Sequence, residues 1–480
     1  MPLQNETASK NSRSVGKAIG RHFALFVSAV ITFPVFVYLR APQYGKVSAM
    51  MAWLVLGIAV LSWTRWESHN RIPFLQIILS FYAVYFSFPV FFPLEMRLLY
   101  ARYVASEEHL RQTMGLVLLT QCSIWAGWSV AKRFIPRREM RLDVSDTRLL
   151  IYAVAVIVFQ VVLFILKQRN PDLELGGYIQ VINGVANIYL AIGIFYYLGE
   201  RKGWNAVYIS GIVVASLFQL AISINSAMVG DAIMPILVLG VLAFQKHARL
   251  TVLFLITLIG IGIVTQPVKH LYRIALQQRR EVGIDVSFAD KVQLYIVLLR
   301  SYWFQPRAVS YFEESPELQF SRRLSLVPIV AVIVKETPAR IPYQLGWTFR
   351  YLVFTPLPRF LYPQKPTAQE ANVWFARSYH ILDERLAKTT MVGISQLGEV
   401  YVNFGWAGVP FVFFFFGVVL YLLSFLDTGV GGRLAPKAML AALLPNFFAV
   451  ESTLTGFIAG TLYTFVLTYL VLRLLSRSRL

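Results

Sequence analysis

Of the 480 residues, 57% are hydrophobic, 15% aromatic and only 15% charged, and the mean hydropathy is +0.58. Soluble domains carry about a quarter charged residues, so an ordinary cytosolic enzyme is excluded. The 36 Phe and the long uncharged runs exclude a disordered chain, leaving an integral membrane protein. The single cysteine, Cys122, leaves no intramolecular disulfide, Cys-rich zinc site or iron–sulfur cluster. A net charge of +20 would raise nucleic acid in a soluble chain. In a chain facing lipid the placement of the cations matters more than their sum, and no nucleic-acid partner is expected.

A helix crossing the hydrocarbon needs about 20 mostly apolar residues. The apolar runs predict an all-α polytopic protein with twelve spans, at 23–39, 47–64, 72–92, 112–131, 149–166, 178–198, 205–224, 228–244, 250–267, 406–426, 438–451 and 456–474. The first is read as an anchor rather than a cleaved signal, because it is span-length and no A-x-A site follows it. The eleventh is short enough to be re-entrant or tilted. The expected organisation is a cytoplasmic tail (1–22), a nine-span bundle (23–267), one large extracytoplasmic loop (268–395), a three-span bundle (396–475) and a second cytoplasmic tail (476–480). No internal repeat is visible, which argues against the parallel repeats of a major-facilitator transporter.

Lys and Arg fix the orientation. With the N-terminus inside, the inner segments hold 21 of the 45 basic residues and the short outer loops only 7. That bias places both termini in the cytoplasm. The remaining 17 lie in 268–395 beside ten acids, and long loops translocate whatever their charge. This segment contains VQLYIVLL (292–299) and LSLVPIVAVIV (324–334), too short to span and expected to lie in or against the outer interface. Pro356, Pro358, Pro363 and Pro366 predict a rigid, irregular stretch packed over the bundle.

A basic chamber at the outer surface would suit an anionic lipid head group, since a guanidinium bonds two oxygens at once. Arg300, the Arg322–Arg323 pair, Arg350 and Arg359 are the candidates, with snorkelling to phospholipid head groups as the plain alternative. There is no GxxxxGK[ST], no D-x-D and no acid and histidine cluster, so neither a metal nor any other cofactor is expected. In GISQLGEVYVNFG (393–405), Glu399 and Asn403 share a face if the next helix starts early. Glu399 could then accept a proton from a hydroxyl, or equally cap a helix or pair with an arginine. Asp231 is expected to cap the eighth span, and Glu451 in AVESTLTG is a secondary candidate.

The stretch PRFLYPQKP (358–366), preceded by YQLGWTF (343–349) and followed by SQLGEVYVNFGWAG (395–408), resembles two motifs of the bacterial oligosaccharide repeat-unit polymerases of O-antigen and exopolysaccharide synthesis. The order, the spacing of roughly thirty residues and the twelve-span layout all match. The resemblance covers about 340–420 closely. It implies a metal- and nucleotide-independent glycosyltransferase of the lipid-to-lipid type in the bacterial inner membrane. There, a hydroxyl of one undecaprenyl-diphosphate-linked glycan would attack the anomeric carbon of another and release undecaprenyl diphosphate. Arg359 and Lys365 match the first motif, and Glu399, Tyr401 and Asn403 the second. The charge argument and the resemblance together make Glu399 an acceptor base or orienter, and Arg322, Arg323 and Arg359 the grip on the diphosphate. Arg300 and Arg350 rest on charge alone. Such proteins usually work beside a chain-length-regulating co-polymerase.

Three rivals stand. An O-antigen ligase-type transferase would share the loop and basic chamber. A flippase for lipid-linked oligosaccharides would carry its charges within the bundle, where this chain has few. A scaffold for a polysaccharide export complex needs none of these residues.

Overall fold

A computed structural model describes residues 46–65, 71–91, 106–170, 178–244, 248–284, 286–304, 324–354, 357, 361–362, 364–366, 370–382, 392–429 and 431–476. Every regular element among them is helical. The first half comprises α1 (Lys46–Thr64), α2 (Phe74–Tyr82), α3 (Glu107–Phe134), α4 (Asp146–Arg169), α5 (Tyr178–Val185), α6 (Ile188–Lys202) and α7 (Ala206–Ser226). Next come α8 (Val229–Phe244), α9 (Ala248–Glu281), α10 (Phe288–Phe304), α11 (Val327–Glu336), α12 (Tyr351–Phe354) and α13 (Glu370–Ser378). The chain closes with α14 (Gln396–Leu423), α15 (Leu434–Phe448) and α16 (Leu454–Ser476).

Among the described residues seven helices are long and apolar enough to cross a membrane: α1, α3, α4, the α5–α6 pair from Val181, α7, α14 with its terminal turn, and α16. Three shorter apolar helices accompany them, Phe74–Ser87, Gly230–Phe244 and Leu434–Phe448. The chain is therefore an all-α, multi-pass membrane protein. The expected run 23–39 lies outside the described residues.

Helix starts follow local chemistry. Ser106, Ser145, Asn187, Asn205 and Ser395 each offer a side-chain oxygen to an N–H in the first turn of α3, α4, α6, α7 and α14. Asn187 accepts from the N–H groups of Tyr189 and Leu190 at 2.9 and 3.0 Å, which starts a new helix inside the run expected at 178–198. Asp231, expected to cap α8, instead sits in its first turn and accepts from Ser226 Oγ at 3.2 Å. α9 continues past Pro267 to Glu281, well beyond the apolar run at 250–267.

At the centre, α3 and α14 cross at van der Waals contact because each presents a glycine to the other. A Cβ on Gly127 would lie 1.9 Å from the Phe414 carbonyl oxygen, and one on Gly417 would lie 2.1 Å from that of Ile124. Small residues let helix backbones approach closely where apolar burial alone does not distinguish lipid from protein. Around this pair pack α1, α11 and α16, while α15 packs against α6 and α16. α11, from the expected loop, packs on α3 and α14, with Val330, Ala331, Val332 and Ile333 essentially inaccessible. α10, from the same expected loop, has no buried residue and leans on α7 and α9.

Basic residues gather at the end of the bundle where α3 and α14 terminate and α15 begins. There Arg71 pairs with Glu139, Arg433 with Asp143, and Arg201 and Lys202 with Asp146. The described parts of 324–382 pack at the opposite end, against the starts of α14 and α16.

Candidate functional site

The helix α14 is broken. Gly405 has φ 60° and ψ −153°, a backbone region essentially reserved for glycine, so the segment from Gln396 to Phe404 is tilted off the longer one that follows. The ring of Tyr343 fills the space a side chain would occupy, with Cζ 2.8 Å from an idealised Cβ on Gly405. The first half carries Gln396, Glu399, Tyr401 and Asn403, all buried.

Buried polar groups need partners, and each has one here. Tyr82 Oη donates to Gln396 Oε1 at 2.9 Å. Thr455 donates to both oxygens of Glu399, through its backbone N–H to Oε2 at 2.8 Å and its hydroxyl to Oε1 at 2.7 Å. These contacts put a carboxylate on the first N–H groups of α16, where a negative charge is favoured by the helix dipole. Asn403 Nδ2 donates to Thr348 Oγ1 and to the Glu399 carbonyl, both at 2.7 Å, so Glu399 and Asn403 do share a helix face.

The same asparagine holds a neighbouring loop. Its Oδ1 accepts from Gly346 N–H at 2.9 Å, while the carbonyls of Val402 and Asn403 accept from the N–H groups of Gln344 and Leu345 at 2.9 and 3.0 Å. Thus 343–350 is fastened to the break by four hydrogen bonds, and Phe349 stacks on Phe404 with centroids 5.8 Å apart. The loop presents Arg350, exposed, with its guanidinium 3.9 Å above the Trp347 ring and Nη2 donating to Tyr351 Oη at 3.1 Å. Trp374 of α13 extends this aromatic ledge, 5.8 Å from Trp347. Burial pushes the Tyr351 phenol above its ordinary range despite the guanidinium beside it. α13 is tied back through Tyr379, whose hydroxyl shares a hydrogen bond with Thr337, and through Asn372 Oδ1, which accepts from Ile394 N–H at 3.3 Å.

The predicted residues therefore divide. Glu399, Tyr401, Asn403 and Arg350 come together at the break. Arg300 is exposed on α10, in the α7–α9 neighbourhood. Lys365 is half-buried and donates to the Leu357 carbonyl at 2.8 Å. Arg322, Arg323 and Arg359 lie outside the described residues, so the grip assigned to them is not part of the observed geometry. Glu451 lies in the turn between α15 and α16, its carbonyl oxygen 2.4 Å from an idealised Cβ on Gly393. Among the described residues no group of three or more His, Cys, Asp or Glu could hold a metal. Sequence reasoning missed Thr348, Thr455, Tyr343, Trp347 and Trp374. Tyr343, Trp347 and Thr348 stood inside a motif already singled out, whereas nothing in the sequence tied Thr455 to Glu399.

No curated protein and no solved structure matches the chain. One family model does, and it runs from residue 71 to 480, taking in the glycine-paired helices, the broken α14 and the loop fastened to it. With most of its length inside that match, the chain belongs to the family described as a domain of unknown function, DUF8712.

Proposed function

We propose that this protein polymerises undecaprenyl-diphosphate-linked oligosaccharide repeat units at the outer face of the bacterial inner membrane, releasing undecaprenyl diphosphate. The observation that carries the reading is the fastening of 343–350 to the break in α14. Two stretches singled out by the motif resemblance, more than fifty residues apart in sequence, form one unit that displays a guanidinium on an aromatic ledge. Aromatic faces with a few polar groups suit a sugar, and a guanidinium suits a phosphate. The bond to be broken is already activated in the glycosyl diphosphate, so the protein's work is positioning and charge stabilisation.

Within this reading Glu399 is the orienter rather than the base, because both of its oxygens are engaged by Thr455 and its side chain is inaccessible. Arg350 and the Trp347 ledge receive the donor together with Arg359 and Lys365, and Tyr401 and Asn403 hold the frame. Arg322, Arg323 and Arg300 add to the positive charge of the segment, and a chain-length-regulating co-polymerase is an expected partner.

The test is reconstitution in proteoliposomes with one lipid-linked repeat unit and no nucleotide. A ladder of longer glycans with stoichiometric undecaprenyl diphosphate supports the proposal. Movement of intact substrate between leaflets without new bonds identifies a flippase, and a single transfer to a different acceptor identifies a ligase.

A further inference from the structure

At the end of the bundle opposite the broken helix, a cavity of about 550 Å³ is lined by Arg137, Arg138, Glu139, Arg141 and Arg433. The volume falls in the range of small-ligand sites, about 300–1,000 Å³. Four guanidinium groups and one carboxylate form its wall. The cations are not all spent within the protein. Arg137 is fixed in place, its Nη2 donating to the carbonyls of Ser424 and Asp427 at 2.6 and 2.8 Å, yet its buried Nε has no hydrogen-bond partner. Arg433 reaches Asp143 at 2.7 Å, and Arg71 reaches Glu139 at 3.7 Å. Arg138 and Arg141 are exposed, with no ion pair or hydrogen bond among the described residues. Burial and the neighbouring Arg71 hold Arg137 below the ordinary guanidinium range, the direction expected where cations crowd without a full complement of anions.

The helix that leads into this wall points to the class of anion. α3 ends at Phe134, which is 73% exposed, with the Arg133 guanidinium over its ring, and Val130 one turn earlier is also exposed. The exposed apolar end of α3 thus leads, along the chain, into Arg137 and Arg138 of the arginine wall. Basic pockets at the ends of membrane helices bind anionic phospholipid head groups in this arrangement, with acyl chains along the helix and phosphate oxygens on the guanidinium forks.

We infer that this cavity is a binding site for the phosphate-bearing head group of an anionic phospholipid. The inference is independent of the polymerase reading. It is tested with the full-length protein, delipidated in a zwitterionic detergent and titrated with phosphatidylglycerol, cardiolipin or phosphatidylcholine. Native mass spectrometry reads the lipid adducts and thermal unfolding reads the stabilisation. Phosphatidylglycerol or cardiolipin should bind and raise the melting temperature where phosphatidylcholine does not. The double substitution R138A/R141A, on exposed side chains, should weaken that binding at least tenfold, and K167A/R169A at the other end of α4 should leave it unchanged. Equal binding by wild type and R138A/R141A would overturn the assignment. So would stabilisation by inorganic phosphate or diphosphate that matches or displaces the anionic lipid, which would make the ligand a soluble anion.

Discussion

Glu399 illustrates how a residue type can be legible while its task is not. Its place on one face with Asn403 follows from a spacing of four residues, but the partner that occupies both oxygens, Thr455, is brought in by folding. In Glu399→Gln the new amide could still accept from the Thr455 N–H and donate to its hydroxyl, so this variant is expected to fold and retain most activity. Glu399→Ala leaves buried donors at the start of α16 unpaired, at a cost of about 1–3 kcal/mol each, and is expected to lose both thermal stability and polymer. Loss of all activity in a stable Glu399→Gln protein would instead make the carboxylate a proton acceptor. Tyr379 gives a pH test. Burial raises its phenol above the ordinary value, so the protonated form is favoured in the folded state. That contribution is complete below the unfolded value of about 10 and is lost as pH rises from there through the higher folded value. The stability difference between wild type and Tyr379→Phe, about 1 kcal/mol at neutral pH from the Thr337 hydrogen bond, should shrink in unfolding experiments above about pH 10.

Apolar run length located most helices, and the departures have physical causes. The tenth apolar run spans 406–426, yet α14 begins at Gln396, the early start that puts Glu399 and Asn403 on it. Ser395 caps it, and tertiary partners satisfy Gln396, Glu399 and Asn403. The break at Gly405 was equally hidden, since a glycine in an apolar helix carries no signal until its φ and ψ are known. The crossing of α3 and α14 depends on glycines whose partners no single-chain pattern reveals. Gly417→Leu would drive atoms into the Ile124 carbonyl and the Trp128 N–H, backbone that cannot yield, and is expected to cost about 3 kcal/mol or more. Gly57→Ala, with open space around its Cβ, is expected to change stability by less than about 1 kcal/mol, in the stabilising direction. Thermal unfolding in detergent compares the two directly, and equal melting temperatures would contradict the close-contact account.

For the whole molecule, counting cations in alternate segments anticipated that Arg71, Arg137, Arg148, Arg201 and Arg433 belong to one side. Their ion pairs and backbone contacts do share one end of the bundle. The cavity at this end, lined by Arg137, Arg138, Glu139, Arg141 and Arg433, was not legible, because Arg433 joins Arg137 across nearly 300 residues of sequence. The positive-inside bias predicts that the arginine-rich end faces the cytoplasm, so a reporter fused near residue 310 is expected to read as extracytoplasmic. A cytoplasmic signal there would invert the molecule. The proposed activity depends above all on substrate meeting the protein at the broken helix. Photo-crosslinking with a lipid-diphosphate-linked oligosaccharide carrying a reactive group on its first sugar measures this directly. Adducts are expected within 343–366 and 399–406, suppressed by excess unlabelled substrate, whereas adducts confined to the arginine-rich opposite end or to the outward face of α4 would contradict it.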